Sequence, residues 1–402
     1  MEKNKYKSFE LKHFLYTFKR YPILITKAKG SVVWDDQGKR YLDLFSGLAV
    51  CGVGHTHDRV VRAIQKQASK YLHVSNYYYT APQMDLAKAL TGRYMGSRVF
   101  FSNSGAEANE LAIKLARLWA TKNGKRGRDI LTFHNAFHGR TLATAAASDG
   151  KNRNNSIYEP LPKGFKALPF NDLTKLKAAI SSKTIAILIE PIQGEGGVNV
   201  ASGEFLKGIA RACKKHRLLF IADEVQCGLG RTGTFFSFEQ AGVKPDIVTM
   251  AKGLAGGLPL GATLALDRVA RHMKPGLHGS TFGGNPVSCA ASLEVLKLLT
   301  ASQLKSIRTT GRILKDTLTG FQRYPVVKEI RGEGLMLGME LTCPGAPFVD
   351  LARKKGLLIN CTKEKVLRFL PSYFISRKEI ESAMKILDSV FQTLVPTIEA
   401  KR

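Results

Sequence analysis

Acidic residues are scarce in this chain. Only 32 Asp and Glu stand against 61 Lys and Arg, a formal charge of +29 over 402 residues. Such an excess permits attraction to nucleic acid, to anionic membranes or to an acidic protein partner. The excess is spread along the chain, however, with no RNA-binding signature and no basic helix carrying heptads. It reads as a lysine-rich solvated surface, and nucleic acid and an acidic carrier protein stay open as partners. Cysteine is also sparse. The six residues Cys51, Cys213, Cys227, Cys289, Cys343 and Cys361 form no C-x-x-C pair, so free thiols in a reducing cytoplasm are expected. No apolar run approaches the ~18 residues of a membrane span, so no membrane association is expected. Residues 1–30 carry no apolar stretch with a small-residue cleavage site, and Glu2 and Glu10 interrupt their positive charge, unlike a secretory leader. His55-Thr56-His57 has no convincing set of further ligands near it in sequence, so no metal is expected and the motif is read as structural or site-lining.

What is present is a core. Hydrophobic residues make up 44% of the chain, enough for one large domain and a smaller one. The stretch 218–252 organises the reading. Leu218-Leu219-Phe220-Ile221-Ala222 runs into Asp223-Glu224-Val225-Gln226, and Asp246-Ile247-Val248-Thr249-Met250-Ala251 runs into Lys252-Gly253. Each run has the length of a buried strand and ends in a residue too costly to bury unpaired. Ligands of open α/β sheets sit outside the carboxyl ends of the strands, so an acid and a lysine share one edge. A lysine there is poised to lose its proton and form a Schiff base. An aspartate there can pair with a pyridinium nitrogen. Pyridoxal phosphate requires both partners. Acid-ended and lysine-ended strands are also common in α/β enzymes of other kinds.

Along the chain, Asp36-Gln37-Gly38 reads as the centre of a hairpin. Helical periodicity covers residues 58–72 and 82–94. Tyr77-Tyr78-Tyr79 fits a pocket wall and an interface equally. A strand at 99–101 leads to Ser104-Gly105-Ala106-Glu107, where Ser104 is an N-cap and Glu107 completes a capping box before a helix. Exposed N–H groups at such a start favour an anion. A strand at 130–133 delivers Phe137-His138-Gly139-Arg140: Phe137 suits ring stacking or a core, and Arg140 suits a carboxylate clamp or a surface. Residues 151–166 read as a long surface loop. A buried strand at 184–189 precedes Glu190-Pro191 and Gln193-Gly194-Glu195-Gly196-Gly197, where glycines give Glu195 freedom or let a ligand approach. A helix follows at 203–216. Gly228-Leu229-Gly230-Arg231-Thr232-Gly233 is a literal G-x-G-x-x-G, but it does not open a helix directly after a strand, so it is not a dinucleotide site. Strands are expected at 262–266, and helices at 287–299 and 302–319. Ser280-Thr281 between glycines suits a phosphate or an ordinary tight loop. From residue 302 onward short strands and helices fit a separate α+β lobe. Arg368, within an apolar strand, needs a partner.

Taken together, these motifs make the chain resemble class III aminotransferases of the fold-type I pyridoxal-phosphate enzymes, and within them the acetylornithine aminotransferases. The resemblance spans residues 21–391. It rests on Ser104-Gly105-Ala106-Glu107-Ala108, Phe137-His138-Gly139-Arg140-Thr141, the segment from Glu190 to Gly197, Asp223-Glu224-Val225-Gln226, Ala251-Lys252-Gly253, the segment from Ser280 to Pro286, and Gly356-Leu357-Leu358-Ile359-Asn360. It implies an α/β fold: a large domain with a mostly parallel seven-stranded sheet between helices, and a small α+β domain. Residues 1–49 would join the small domain, 50–298 form the large one and 299–402 the C-terminal one.

The resemblance also implies roles. Lys252 is the Schiff-base lysine, Asp223 pairs with the pyridine nitrogen, Gln226 lies near the ring hydroxyl, and Phe137 stacks on the ring. Ser104, Gly105 and Ala106 form the phosphate site, completed by Thr281 of a second subunit, so a homodimer with shared sites is implied. Arg140 holds a substrate carboxylate, with Ser280 nearby. Glu195 masks Arg368 while an ω-amino donor binds, then releases it for 2-oxoglutarate. The implied reaction moves the terminal amino group of N-acetylornithine to 2-oxoglutarate, giving glutamate, as a cytoplasmic step of arginine biosynthesis. Ornithine, succinylornithine, 4-aminobutyrate and a carrier-bound substrate of lysine biosynthesis are the alternatives, and a non-catalytic nucleic-acid-binding protein is a distant one. The chain departs from the pattern at Asp58, where proline is usual, and at Pro371-Ser372-Tyr373, where Pro-Pro-Leu is usual. The second departure lies near the substrate carboxylate.

Overall fold

The computed structural model describes residues 3–149 and 155–400. Strands are numbered β1 Ile25–Lys29, β2 Val32–Asp35, β3 Arg40–Asp43, β4 Ser97–Ser102, β5 Asp129–Phe133, β6 Phe165–Leu168, β7 Thr184–Ile189, β8 Ile192–Gln193, β9 Asn199–Val200, β10 Leu219–Asp223, β11 Ile247–Met250, β12 Gly261–Leu266, β13 Val327–Glu333, β14 Met336–Leu341, β15 Leu357–Leu358, β16 Asn360–Thr362 and β17 Val366–Phe369. The main sheet has seven strands in the order β4-β12-β11-β10-β7-β5-β6. β10 pairs in parallel with β7 and β11, and β5 with β7 and β6. Only β12 runs antiparallel, against both β11 and β4. The mostly parallel α/β sheet expected from the sequence is thus the one observed.

Why these strands read as unbroken apolar runs is plain from their burial: all of β7, β10 and β11 is buried. A parallel sheet is covered on both faces, and alternate side chains enter different cores. Leu219 and Ile221 pack with Leu111 and Leu115 of the helix Gly105–Lys122. Phe220 points the other way, to Phe205 and Ile209 of the helix Gly203–His216. Each such buried aliphatic side chain contributes about 1.5–3 kcal/mol.

A second, antiparallel sheet, β13-β14-β17-β16, lies in the C-terminal part. The N-terminal strands β1, β2 and β3 form a hairpin-based sheet that β15 joins in parallel, with Leu42 opposite Leu357. The first strands are therefore hydrogen-bonded to a strand more than three hundred residues later.

Two expectations need correction, and one helix was not foreseen. The capping box at Ser104 is half made: the Ser104 hydroxyl accepts from Glu107 N–H at 3.2 Å, but the Glu107 carboxylate turns to the N–H of Asn103 at 2.6 Å. Asn103 also offers its side-chain amide to the same oxygen at 2.9 Å, and two donors win over one. The surface loop expected at 151–166 contains strand β6 at its end, paired in parallel with β5. Its residues 151–154 lie outside the described residues. Residues 3–13 form a helix the sequence reading did not anticipate.

One turn is unusual. Ser46, Gly47, Leu48 and Ala49 all have positive φ, at 49°, 61°, 70° and 62°. A left-handed turn costs roughly 1–2 kcal/mol for each residue with a Cβ, and such strain clusters at functional sites.

Candidate active site

The carboxyl ends of the parallel strands deliver the site. β10 ends in Asp223, directly opposite Thr249 of β11, and Lys252 follows β11 by two residues. β5 leads into Phe137 and His138, and β7 into Glu190. A cavity of about 430 Å³ lies there. Its lining includes Ser104, Gly105, Ala106, Phe137, Arg140, Asp223, Gln226 and Lys252. All these residues named from the sequence therefore meet around one space.

Asp223 is 3% exposed and held from two sides. One carboxylate oxygen accepts from Asn109 Nδ2 and pairs with His138 Nδ1, both at 2.7 Å. The other accepts from the Val225 N–H at 3.1 Å and lies 3.4 Å from the Thr249 hydroxyl. Thr249 in turn donates to Asn109 Oδ1 at 2.8 Å. Among the described residues His138 Nε2 is buried without a hydrogen-bond partner.

Lys252 sits at φ 45°. Burial lowers its pKa below that of an ordinary lysine; Glu195 partly offsets this, and Arg368 lowers it further. An amine so placed has a larger neutral, nucleophilic fraction.

The helix start at Gly105 offers its first N–H groups to the cavity. A Cβ at Gly105 would stand 2.7 Å from Val225 Cγ1, so the close approach of these two segments requires glycine.

Arg368 is the partnered cation the sequence demanded. It is 1% exposed, on the inner strand β17. Its Nη1 donates to Glu195 Oε1 at 2.7 Å, Gly194 O at 2.9 Å and Gln226 Oε1 at 3.0 Å, and its Nε donates to Asn360 Oδ1 at 3.2 Å. Gln226 also donates to Glu195 at 3.3 Å. Burial disfavours the charged form of Glu195, but Arg368, Lys252 and these hydrogen bonds outweigh it and hold the carboxyl at about 2. A Cβ at Gly194 would stand 2.0 Å from Gln226 Oε1, which explains one glycine of that loop.

Ser280 and Thr281 are not in this cavity. They line a separate opening with Tyr77 and Phe100. Ser280 touches the cavity wall through Asn103, whose amide reaches its hydroxyl at 3.2 Å. The three tyrosines 77–79 are exposed, Tyr77 to 95%, so they stand away from the cofactor-sized cavity of their own chain.

Sequence reasoning gave no role to Asn109, His138 or Glu190. Glu190 lines the cavity, accepts from the Phe137 N–H at 2.7 Å and the Gly194 N–H at 3.3 Å, and is pushed up to about 7 by burial. No local signal marked Asn109, which stands between Ala108 and Glu110. Among the described residues no group of three or more His, Cys, Asp or Glu is arranged to hold a metal ion, and no helix is long and apolar enough to cross a membrane.

A buried lysine, a held aspartate and a helix N-terminus around one cavity at the carboxyl edge of such a sheet are the working parts of a pyridoxal-phosphate enzyme. Residues 16–391 match the family described as aminotransferase class-III. The acetylornithine aminotransferase of Methanocaldococcus jannaschii is 46% identical over 97% of this chain and 99% of its own length. That of Caldanaerobacter subterraneus subsp. tengcongensis is 45% identical over 96% and 99%. Among solved structures, the ornithine aminotransferase of Toxoplasma gondii ME49 superimposes with a TM-score of 0.94 at 30% identity, covering 100% of this chain and 97% of that one. The N-acetylornithine aminotransferase of Stenotrophomonas maltophilia K279a gives 0.84 at 36% identity, covering 97% and 99%. The chain belongs to the class III aminotransferases. It is an aminotransferase of the pyridoxal-phosphate-dependent kind.

Proposed function

We propose that the enzyme transfers the ω-amino group of N-acetylornithine to 2-oxoglutarate, yielding N-acetylglutamate 5-semialdehyde and glutamate in arginine biosynthesis. The observation that carries this reading is the ion pair between Glu195 and the buried Arg368, beside Lys252. A donor that presents its amino group at the end of a chain leaves no carboxylate beside the reacting carbon, so Glu195 occupies Arg368. 2-Oxoglutarate brings a carboxylate there and needs Arg368 free. The similarity to acetylornithine aminotransferases supports the donor; the structural likeness to ornithine aminotransferases favours free ornithine as the second reading.

The residues fit the cofactor. Bound pyridoxal phosphate supplies an aldehyde for the amine and a ring that accepts the electron pair released at the substrate carbon. In this reading Asp223, fixed by Asn109 and His138, presents a carboxylate to the ring nitrogen. Phe137 covers the ring, and Gln226 stands by its hydroxyl. Ser104, Gly105 and Ala106 receive the phosphate, joined by Thr281 from a second copy of the chain. Lys252 removes the proton from the substrate carbon and returns it elsewhere. Arg140 clamps the distal carboxylate, with Ser280 beside it. The exposed Tyr77–Tyr79 and Phe282 support a homodimer. We further assign residues 50–298 to the large domain and 1–49 with 299–402 to the small one. A cytoplasmic location accords with six cysteines that form no disulfide.

The test is a visible spectrum of the holoenzyme before and after N-acetylornithine, with Lys252→Ala alongside. Loss of the visible band only when Lys252 is present supports the proposal. A band that ignores N-acetylornithine but responds to ornithine and glutamate overturns the donor and keeps the class.

A further inference from the structure

The segment from Gly228 to Gly233, which its context excluded as a dinucleotide site, carries a wholly buried cation, Arg231. Among the described residues, carbonyls and a ring meet its charge in place of an acid. Its Nη1 donates to the Leu335 and Pro371 carbonyls at 3.1 and 2.5 Å. Its own carbonyl accepts from the Leu335 N–H at 3.0 Å. The guanidinium carbon lies 4.6 Å from the centre of the Tyr373 ring. A cation is held on an aromatic face more strongly when water is excluded, so Arg231 fixes that ring from one side.

The hydroxyl end of the same buried ring reaches the lysine turn. A Cβ on Gly52 would fall 2.6 Å from Tyr373 Cζ, so the ring takes up room that only glycine leaves. A Cβ on Gly253, the residue after Lys252, would stand 3.6 Å from Tyr373 Oη. The backbone is tied down in the same place. Leu370 N–H donates to the Leu44 carbonyl and Tyr373 N–H to the Gly52 carbonyl, both at 2.7 Å. These two bonds bracket the strained left-handed turn Ser46–Ala49, and Val50 just beyond it lines the cofactor cavity. Residues 370–373 continue directly from β17, which carries Arg368. The ring is thus a spacer between the Arg368 strand and the turn that holds Lys252.

We propose that Tyr373, backed by Arg231, is a positioning residue that sets the distance between Arg368 and Lys252, and so how well the acceptor's carboxylate is held. This rests on the reading that Arg368 takes a carboxylate of 2-oxoglutarate. Tyr373→Leu removes the ring. Arg231 then loses its aromatic face, and a void opens beside Gly52 and Gly253. Close-packed neighbours relax into such a void, and residues 370–373 move with them and take β17 along. N-acetylornithine binds while Glu195 masks Arg368, so its binding does not depend on that distance.

The experiment measures KM for each substrate, and kcat, in the holoenzyme and in Tyr373→Leu, Tyr373→Phe and Arg368→Lys. Tyr373→Leu is expected to raise the KM for 2-oxoglutarate ~10-fold, with kcat and the KM for N-acetylornithine within about 2-fold. Tyr373→Phe keeps the ring and should stay within about 2-fold on all three. Equal rises for both substrates, a loss in kcat alone, or no change overturn the proposal. So does a Tyr373→Phe enzyme as impaired as Tyr373→Leu, since the ring would not be the acting part. Arg368→Lys separates the two levels: an unchanged KM for 2-oxoglutarate there would sink the reading of Arg368 itself. Should Tyr373→Leu fail to fold, Gly52→Ala, whose Cβ pushes the ring aside, is expected to shift the same KM alone and decides in its place.

Discussion

The Glu195 carboxylate and the Arg368 guanidinium meet at 2.7 Å, with Arg368 almost wholly buried and Glu195 still reached by solvent. The exposed partner is thus the one on the glycine-flanked loop, free to leave, while the buried partner is anchored by Asn360 and Gln226. Glu195→Ala removes the mask. The half-reaction with N-acetylornithine is expected to slow by about 10- to 100-fold relative to that with glutamate, a difference of ~1.4–2.7 kcal/mol. Single-turnover spectra with each donor read it. Equal slowing with both donors would contradict the masking role.

The same pair sets a pH expectation. The folded pKa of Glu195, about 2, lies below its ordinary 4.5. A depressed carboxylate stabilises the fold above its unfolded pKa, and that stability is lost as pH falls towards the folded value. The pair is therefore intact across pH 5 to 9. The ratio of the two donors' half-reaction rates is expected to be flat over that range, although both rates rise with deprotonation of Lys252, below the 10.5 of an ordinary lysine. A ratio that bends near neutrality would point to another titrating group.

Asn109 touches Asp223, Thr249 and the His138 carbonyl at once. Asn109→Leu leaves all three without that partner and is expected to weaken cofactor retention by about 10-fold, ~1.4 kcal/mol. Equilibrium dialysis of the cofactor measures this directly. Unchanged retention would mean that His138 and the Val225 N–H suffice to hold Asp223.

Glu224 is a structural counterpart of Asp223. Its carboxylate accepts from Ser237 N–H, Ser237 Oγ and Phe238 N–H at 2.9, 2.6 and 3.0 Å, while burial pushes it up to about 7. Glu224→Ala strands these buried donors. A loss of ~2–5 kcal/mol in chemical unfolding is expected. A loss below ~1 kcal/mol would mean that water replaces the carboxylate.

Ser104→Ala separates local from site effects. The lost cap costs ~1 kcal/mol of stability. Because the hydroxyl is engaged with Glu107 N–H, phosphate binding through backbone N–H groups should persist, as cofactor titration would reveal.

Legibility from sequence followed the physics of each element. The strand at 184–189 and the helix at 203–216 were readable to the residue, because full burial makes one a pure apolar run and the other carries a Ser202 cap and a basic last turn. The helix Lys3–His13 has no apolar face, so no period announced it. Asp223, Lys252 and Arg368 betrayed themselves as charges in apolar runs. Asn109 and His138 did not, since their meaning comes from contacts across 114 and 85 residues of chain. Tyr373 is similar. Its ring fills the space where a Cβ on Gly52 would fall, 2.6 Å away, and the buried Arg231 guanidinium lies 4.6 Å over it. The sequence marked only that the residue was unusual.

The pairing of β3 with β15 has a consequence for how the chain is made. Lys39 reaches the Lys354 carbonyl across 315 residues, and Leu42 finds Leu357 only when that stretch has left the ribosome. During synthesis the opening hairpin must wait with a bare edge while the central sheet closes first. Long-range pairing of this kind is slow and leaves nascent chains prone to association. A stalled or shortened product would therefore lack more than its tail, because the edge of β3 would be left unpaired.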